Sequence, residues 1–340
     1  MNISFSTLSP HLIYSFKNEV ELLRSIEEIS EKFTTNRDKI SDYLKEPRLV
    51  AAYSVFYLLT NIPKLGEVLK WLPKDWVNLL KDCDFIDMGA GPGTFSLAWK
   101  NLGGEGEFYQ IEQSKLMKDQ GRKIWEAFCD KKLSQSSHWE WKGEGAKFML
   151  FGHSANEMGV DVVLKYIETI NPEHILFIEP GTKDFFSKML DIRSHLLTRH
   201  YNVLYPCPGP GECPMKGDKD WCHQFIRIDH GPEIERMSQM IKKDRKLMPL
   251  TIQAFSRTFK RQNPEERIVR VLPETKFSHD WQVCHSNNLE HYQLMKRDIP
   301  KATSKMLSDI LAGEAVETET IKNLENATRV KLLKIIKDEH

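Results

Sequence analysis

The sequence predicts an α/β fold, a doubly wound sheet with a helical region before it and a cysteine-rich insertion near its end. Three observations carry this. A glycine turn at Asp84 to Leu97 links an apolar strand to a helix start. The next strand ends in an acid about twenty residues later. Segments with strand-like and helix-like patterns then alternate as far as Tyr205, which implies parallel strands joined by right-handed crossovers.

Taken in order, Asn18 to Pro73 is helical in pattern, with Val20, Leu22, Leu23, Ile26 and Ile29 at spacings of three and four. Leu49 to Leu59 follows, where Tyr53, Phe56 and Tyr57 read as helix core, and Leu65 to Leu72 is a short helix stopped by Pro73. Phe85 and Ile86 form the first strand. Asp87 stands at its carboxyl end, where open α/β sheets hold ligands. Gly89, Gly91 and Gly93 let the backbone turn tightly, and Thr94 caps a helix through Phe95, Leu97 and Ala98.

The second strand is Glu107 to Glu112, followed by a helix through Leu116, Ile124, Trp125 and Phe128. The alternating stretch at Trp139 and Trp141 is the expected third strand and Lys147 to His153 the fourth. A helix through Val162, Val163, Tyr166 and Ile167 leads to a fifth strand, His174 to Glu179. The sixth is expected at Tyr201 to Tyr205 and the seventh at Arg267 to Leu272, with a long insertion between them. In the tail, Leu307, Ile310, Leu311, Ile321, Leu324 and then Val330 to Ile336 suggest two amphipathic helices. The expected organisation is an N-terminal helical region (1–80), a cofactor-binding core (81–205), the insertion with the last strands of the core (206–300) and a helical tail (301–340).

Lys and Arg balance Asp and Glu at 48 each over 340 residues, so net charge points to no partner. Their distribution is uneven, with 20 basic against 13 acidic residues from Arg193 to Lys305, which suits nucleic acid as well as a scattered solvated surface. No apolar run is long enough to cross a bilayer, so no membrane partner is expected. The first eighteen residues contain no Arg and only Lys17, a poor presequence and a poor secretory signal, and the expected location is cytoplasmic. Six cysteines in such a chain are better read as ligands, catalytic groups or core residues than as a disulfide framework.

Asp87-Met88-Gly89-Ala90-Gly91-Pro92-Gly93-Thr94 differs from the Gly-x-Gly-x-x-Gly of dinucleotide sites. It resembles motif I of class I S-adenosylmethionine methyltransferases. That resemblance makes Asp87, Gly89, Ala90, Gly91, Gly93 and Thr94 the candidate cofactor residues, with Glu112 on the ribose diol. The polar groups best placed on the acceptor side are His153, Asn156, Glu157 and Glu179, each of which also reads as a turn or cap residue. The Asn/Asp-Pro-Pro-Tyr clamp of enzymes that methylate exocyclic amines of bases is missing after the fourth strand. Methyl transfer needs alignment more than acid–base help, so few diagnostic residues are required. Lys242 to Lys246 and Arg257 to Arg261 are candidates for phosphate contacts, and Phe255 or Phe259 for stacking on a base.

Cys207, Cys213 and Cys222 fall within sixteen residues, and Cys284 can supply a fourth thiolate from a distant strand. The spacing matches neither a zinc ribbon nor a ferredoxin run, so an iron–sulfur cluster and a structural zinc both remain open. So do small buried cysteines and a Pro-Cys catalytic thiol at Cys207. Cys83 and Cys129 are isolated and read as core.

Together with motif I, the segments Asn156-Glu157-Met158, Phe177-Ile178-Glu179-Pro180-Gly181-Thr182, Pro206-Cys207-Pro208, Cys213-Pro214 and Asp220-Trp221-Cys222-His223 resemble the mitochondrial small-ribosomal-subunit methyltransferase-like proteins and their bacterial relatives. The likeness runs from about Ala51 to about Arg297. It implies a class I methyltransferase fold, S-adenosylmethionine at the glycine loop, and a four-iron, four-sulfur (4Fe-4S) cluster on Cys207, Cys213, Cys222 and Cys284. It also implies the small ribosomal subunit or its rRNA as partner, with no DNA expected.

Overall fold

The computed structural model describes residues 3–34, 45–138, 145–215, 220–261, 266–286 and 288–336. The chain divides into two compact units: residues 1–69, 78–154 and 226–248 form the first, and residues 70–77, 155–225 and 249–340 the second.

The first unit holds four parallel strands: β1 (Asp84–Met88), β2 (Phe108–Ile111), β3 (Leu133–Ser136) and β4 (Lys147–Gly152), in the order β3-β2-β1-β4. Phe85 pairs with Phe108 on one side and Phe148 on the other, and the three rings meet Trp99 and Trp125 in a buried aromatic core. Such rings bury large areas and dominate the core energetics of a sheet. Trp139 and Trp141 lie outside the described residues. The third strand is the preceding Leu133–Ser136, a polar segment without the apolar alternation that marks a strand in sequence.

Helices cover this sheet. Glu19–Thr34 buries Leu22, Leu23, Ile26 and Ile29 along one stripe. Residues 47–69 run as one helical stretch, from Pro47–Tyr53 through a π-turn at Ser54–Leu58 to Leu59–Leu69 with Pro63 inside. A π-turn is a common sign of a functional position. Helices Thr94–Asn101 and Lys115–Phe128 follow β1 and β2 as expected.

In the second unit, β5 (His174–Pro180) and β6 (Asn202–Tyr205) flank β8 (Leu247–Ser256), which is antiparallel to both. A short strand β7 (Gln224–Arg227) precedes β8 in the chain. The expected seventh strand at Arg267 to Leu272 is therefore displaced: its place beside β5 and β6 belongs to β8. Pro249, which cannot donate to a ladder, hides that strand in the sequence. Helices Ala155–Met158, Val160–Ile170 and Lys183–Thr198 belong to this unit.

Strands β9 (Glu266–Val271), β10 (Ser278–His285), β11 (Asn288–Met295), β12 (Ala315–Asn323) and β13 (Thr328–Ile336) close into a barrel in the order β10-β11-β13-β12-β9. Ile268, Trp281, Val283, Tyr292, Leu294, Val316 and Val330 fill it, with Leu307 and Ile310 packed on them. This corrects the tail. Instead of two amphipathic helices it forms one short helix, Lys301–Leu307, and a β-hairpin. Val316, Thr318 and Thr320 alternate with glutamates, a period-two pattern whose β-branched residues override the looser three-and-four spacing of the leucines.

Both layered sections are α/β with Rossmann-like connectivity. No helix among the described residues is long and apolar enough to cross a membrane.

Candidate functional site

The glycine loop between β1 and helix Thr94–Asn101 is built by three left-handed residues, Gly89, Gly91 and Gly93, at φ 65°, 54° and 82°. Side chains are disfavoured in that region, which is why glycine recurs here. A Cβ on Gly93 would sit 2.4 Å from Gln110 Nε2, whereas a Cβ on Gly91 would meet nothing within 4 Å. Gly93 is thus fixed by packing, and Gly91 faces open space from which a ligand can approach the backbone. Gly89 and Ala90 donate their N–H groups to the Ile111 carbonyl at 2.8 and 3.2 Å, tying the loop to β2.

Asp87 is buried, and its Oδ2 accepts hydrogen bonds from Ser96 N at 3.0 Å and Ser96 Oγ at 2.7 Å. The helix has no side-chain cap of its own: Gly93 occupies the cap position and Thr94 is the first helical residue. The expected Thr94 cap is therefore replaced by the Asp87 carboxylate, which binds the helix N-terminus from the strand. Burial pushes the Asp87 carboxyl up to about 7, against the Ser96 donors that favour its charge. Ser96 was not singled out from sequence, although its place two residues after Thr94 suits such a bond.

Glu112 closes the loop from the end of β2. Its Oε2 accepts from Gly91 N at 2.9 Å across 21 residues, and its Oε1 accepts from Ser114 N at 2.7 Å. Burial raises its carboxyl above the usual range while these backbone donors oppose the rise. The carboxylate keeps acceptor capacity beyond these backbone bonds, enough to receive a pair of vicinal hydroxyls.

At the end of β4, His153 adopts φ 59° and places Nε2 at 2.8 Å from the buried Lys64 Nζ. An ammonium only donates, so Nε2 is the acceptor and the ring is neutral with its proton on Nδ1. Burial, then the charges of Lys64 and Arg245, hold the imidazole well below its ordinary value. Lys64 was invisible in the sequence because it stands within an apolar helix. The unfolded chain binds a proton at His153 near pH 6.5 and the folded chain does not, so this histidine costs stability as the pH falls through that value. His153→Gln is expected to flatten the acid-side loss of stability by up to about 1.4 kcal/mol per pH unit. Urea titrations from pH 7 down to about 5 measure it, and an unchanged slope would contradict the assignment.

In the second unit, Cys207, Cys213, Cys222 and Cys284 line one pocket with the buried side chains of Arg193 and Arg267. Arg193 donates to the carbonyls of Gly209 and Gly211 at 3.3 and 2.7 Å, which folds the loop between the first two cysteines. Burial pushes the Cys222 thiol well up, and Cys207, Cys213 and Cys284 push it further. Cys284 is raised to about 12 by burial and then by Cys207 and Cys213. All four cysteines thus share one pocket lining. Among the described residues, however, no group of three or more His, Cys, Asp or Glu side chains is placed to hold a metal ion. Cys83 is buried, as expected, while Cys129 is half-buried.

Residues 48–298 match the family model described as mitochondrial small ribosomal subunit Rsm22. The chain belongs to the Rsm22 family. The Rsm22 match includes the glycine loop, Glu112, His153 and all four cysteines, and it ends before β12 and β13. A comparison with curated proteins returns no significant match. Among solved structures, the chain is similar to magnesium protoporphyrin IX methyltransferase from Synechocystis PCC 6803 with bound SAM (11% identity, 72% of this chain and 100% of that chain, TM-score 0.37). It is also similar to TrmK from M. capricolum with S-adenosyl-homocysteine (8%, 56% and 72%, TM-score 0.32). A third is the ribosomal protein L11 methylase from Lactobacillus delbrueckii subsp. bulgaricus (12%, 58% and 78%, TM-score 0.33).

The remaining acceptor-side candidates of this Rsm22 chain sit in the second unit. Glu179 is fully buried and its Oε1 accepts from Ala155 N at 2.8 Å, supporting the short helix that carries Asn156 and Glu157. Asn156 Oδ1 accepts from Lys188 Nζ at 2.8 Å, and Glu157 is exposed. Thr182 caps helix Lys183–Thr198. Trp221 Nε1 donates to the Gly181 carbonyl at 3.3 Å, joining the Trp-Cys-His segment to the Glu-Pro-Gly-Thr turn.

The basic stretches are largely occupied. Arg245 lies over the Phe56 and Tyr57 rings, Arg257 donates to the carbonyls of Asn171 and Pro172, and Arg261 donates to that of Leu204. Phe255 is fully buried in β8 and cannot stack on a base; Phe259 is half-buried.

Proposed function

We propose that this Rsm22-family chain is an S-adenosylmethionine-dependent methyltransferase acting on RNA of the small ribosomal subunit. The observation that carries the cofactor part is the glycine loop, three left-handed glycines with Gly91 held by Glu112 and open to a ligand. Glu112 is suited to accept from the ribose hydroxyls, and Asp87 holds the loop and helix in register. When bound, S-adenosylmethionine supplies an electrophilic methyl group. The protein's part is alignment and exclusion of water. His153 is held neutral with Nε2 accepting from Lys64, so it is suited to orient groups at the site and not to act as a base. The small subunit comes from the family match, and RNA as the acceptor is this reading's extension of it.

The family resemblance makes this four-cysteine pocket the candidate seat of a 4Fe-4S cluster, with Cys207, Cys213, Cys222 and Cys284 as the ligands that would hold it. Arg193 and Arg267 supply positive charge beside the thiolates. Cys284 of β10, the loop of Cys207 and Cys213 and the segment at Cys222 would be tied together by their shared ligation of such a cluster.

A second reading, in which the chain assists assembly without chemistry, is favoured by one observation: Glu179 and Asn156 are taken up in structural hydrogen bonds. Incubating small subunits from cells that lack the protein with S-adenosylmethionine labelled in its methyl group separates the two. Label in small-subunit RNA, lost with Glu112→Ala, supports methyl transfer. Cofactor binding without any label supports the assembly reading.

A further inference from the structure

The five-stranded barrel at the end of the chain has a connectivity that matters for ligand binding. Strands β9, β10 and β11 form a meander, β12 returns antiparallel beside β9, and β13 closes the barrel in parallel against β11. A helix, Lys301–Leu307, lies between β11 and β12. This is the Greek-key arrangement of the OB barrel, in which the loop between the first two strands and the loop between the last two flank the binding face for oligonucleotides.

The strand registers bring those two loops to one end. Ser278 at the start of β10 faces Met295 at the end of β11, while Tyr292 and Gln293 of β11 face Thr328 and Arg329 at the start of β13. The loop 272–277 and the turn 324–327 therefore share a rim. Exposed apolar side chains gather there: Phe277 is 66% exposed, with Val271, Ile321 and Leu324 also exposed. The Lys276 ammonium lies 5.8 Å from the centre of the Phe277 ring. Lys322 and Arg329 face each other across the hairpin. Of the nearby acids, Glu274 is neutralised by Lys296, which leaves Glu325.

We infer that this rim binds single-stranded RNA, with Phe277 stacking on a base and Lys276, Lys322 and Arg329 meeting phosphates. An exposed ring with a cation beside it serves any base, because every base offers a π-face, and the surplus of positive charge fits a phosphate backbone. The placement rests on the proposal that the chain's partner is RNA, though not on methyl transfer, and it uses strands beyond the family match.

The test is fluorescence anisotropy of the full chain with a labelled mixed-sequence single-stranded RNA of about twelve nucleotides, within the range that one such barrel can engage. Phe277→Ala is expected to weaken binding at least fivefold, and Lys276→Ala to weaken it and lower the salt dependence. Melting temperature and S-adenosylhomocysteine affinity stay unchanged in both. If wild type and variants bind RNA equally, the rim is not the site, while the RNA reading stands. Wild type that binds no RNA removes both. RNA binding unchanged in Phe277→Ala with loss of co-sedimentation with small subunits makes the rim a protein contact and overturns the inference.

Discussion

Replacing Cys222 with serine is expected to strip the iron from anaerobically purified protein, from about four atoms per chain to near none. Cys222 is the right member to test because its thiol feels the other three cysteines most directly. It also has little else to do: Gln224 donates to its Sγ at 3.3 Å, a bond that serine can accept equally well. The packing of Trp221 and Met215 beside it should survive, so loss of iron would report loss of a ligand and not loss of fold. Cys129→Ser, which is not part of the pocket lining, provides the control and should keep its iron. Iron and sulfide analysis with an absorption spectrum reads the result. Zinc bound stoichiometrically, or wild-type protein without iron, would contradict the cluster.

The second large effect is at the glycine loop. Gly93→Ala combines a left-handed residue at φ 82° with a methyl group 2.4 Å from Gln110 Nε2. The first costs about 1–2 kcal/mol. The second forces a buried side chain aside, typically 1–3 kcal/mol. Gln110 has little freedom to yield, since its Oε1 accepts from Gln135 at 2.9 Å. A total of about 2–5 kcal/mol is expected in urea unfolding, with S-adenosylhomocysteine affinity reduced at least about tenfold. Gly91→Ala makes the useful contrast, because its methyl enters open space and only the backbone strain remains. Equal stability of Gly93→Ala and wild type would mean that the loop is not packed as described.

Much of the first unit was legible because its signals are local. Glycines that must turn left-handed, a strand that ends in Glu112, and buried aromatics at Phe85 and Phe108 each state their role within a few residues. What was missed depends on distance. The pairing of Lys64 with His153 spans 89 positions, and nothing near Lys64 announces it. Arg193 reads as a surface charge until the Gly209–Gly211 loop folds over it. The C-terminal barrel was misread as helices because its leucines and isoleucines also fit a helical period. Ile321 and Leu333 fall at the two irregularities of the β12–β13 register, and both are exposed. Cys284 is far in sequence from the other three cysteines, yet all four line one pocket, and their spacing leaves iron and zinc equal.

The central claim is that the loop of Gly89, Gly91 and Gly93, closed by Glu112, is an S-adenosylmethionine site. Calorimetric titration of the full chain with S-adenosylhomocysteine tests it directly. One-to-one binding is expected for the wild type, and Glu112→Ala should lose about 1.5–3 kcal/mol, or roughly ten- to a hundredfold, as charged hydrogen bonds to the ribose disappear. A wild type that takes up no S-adenosylhomocysteine, or a Glu112→Ala variant that binds it as tightly, would contradict the claim.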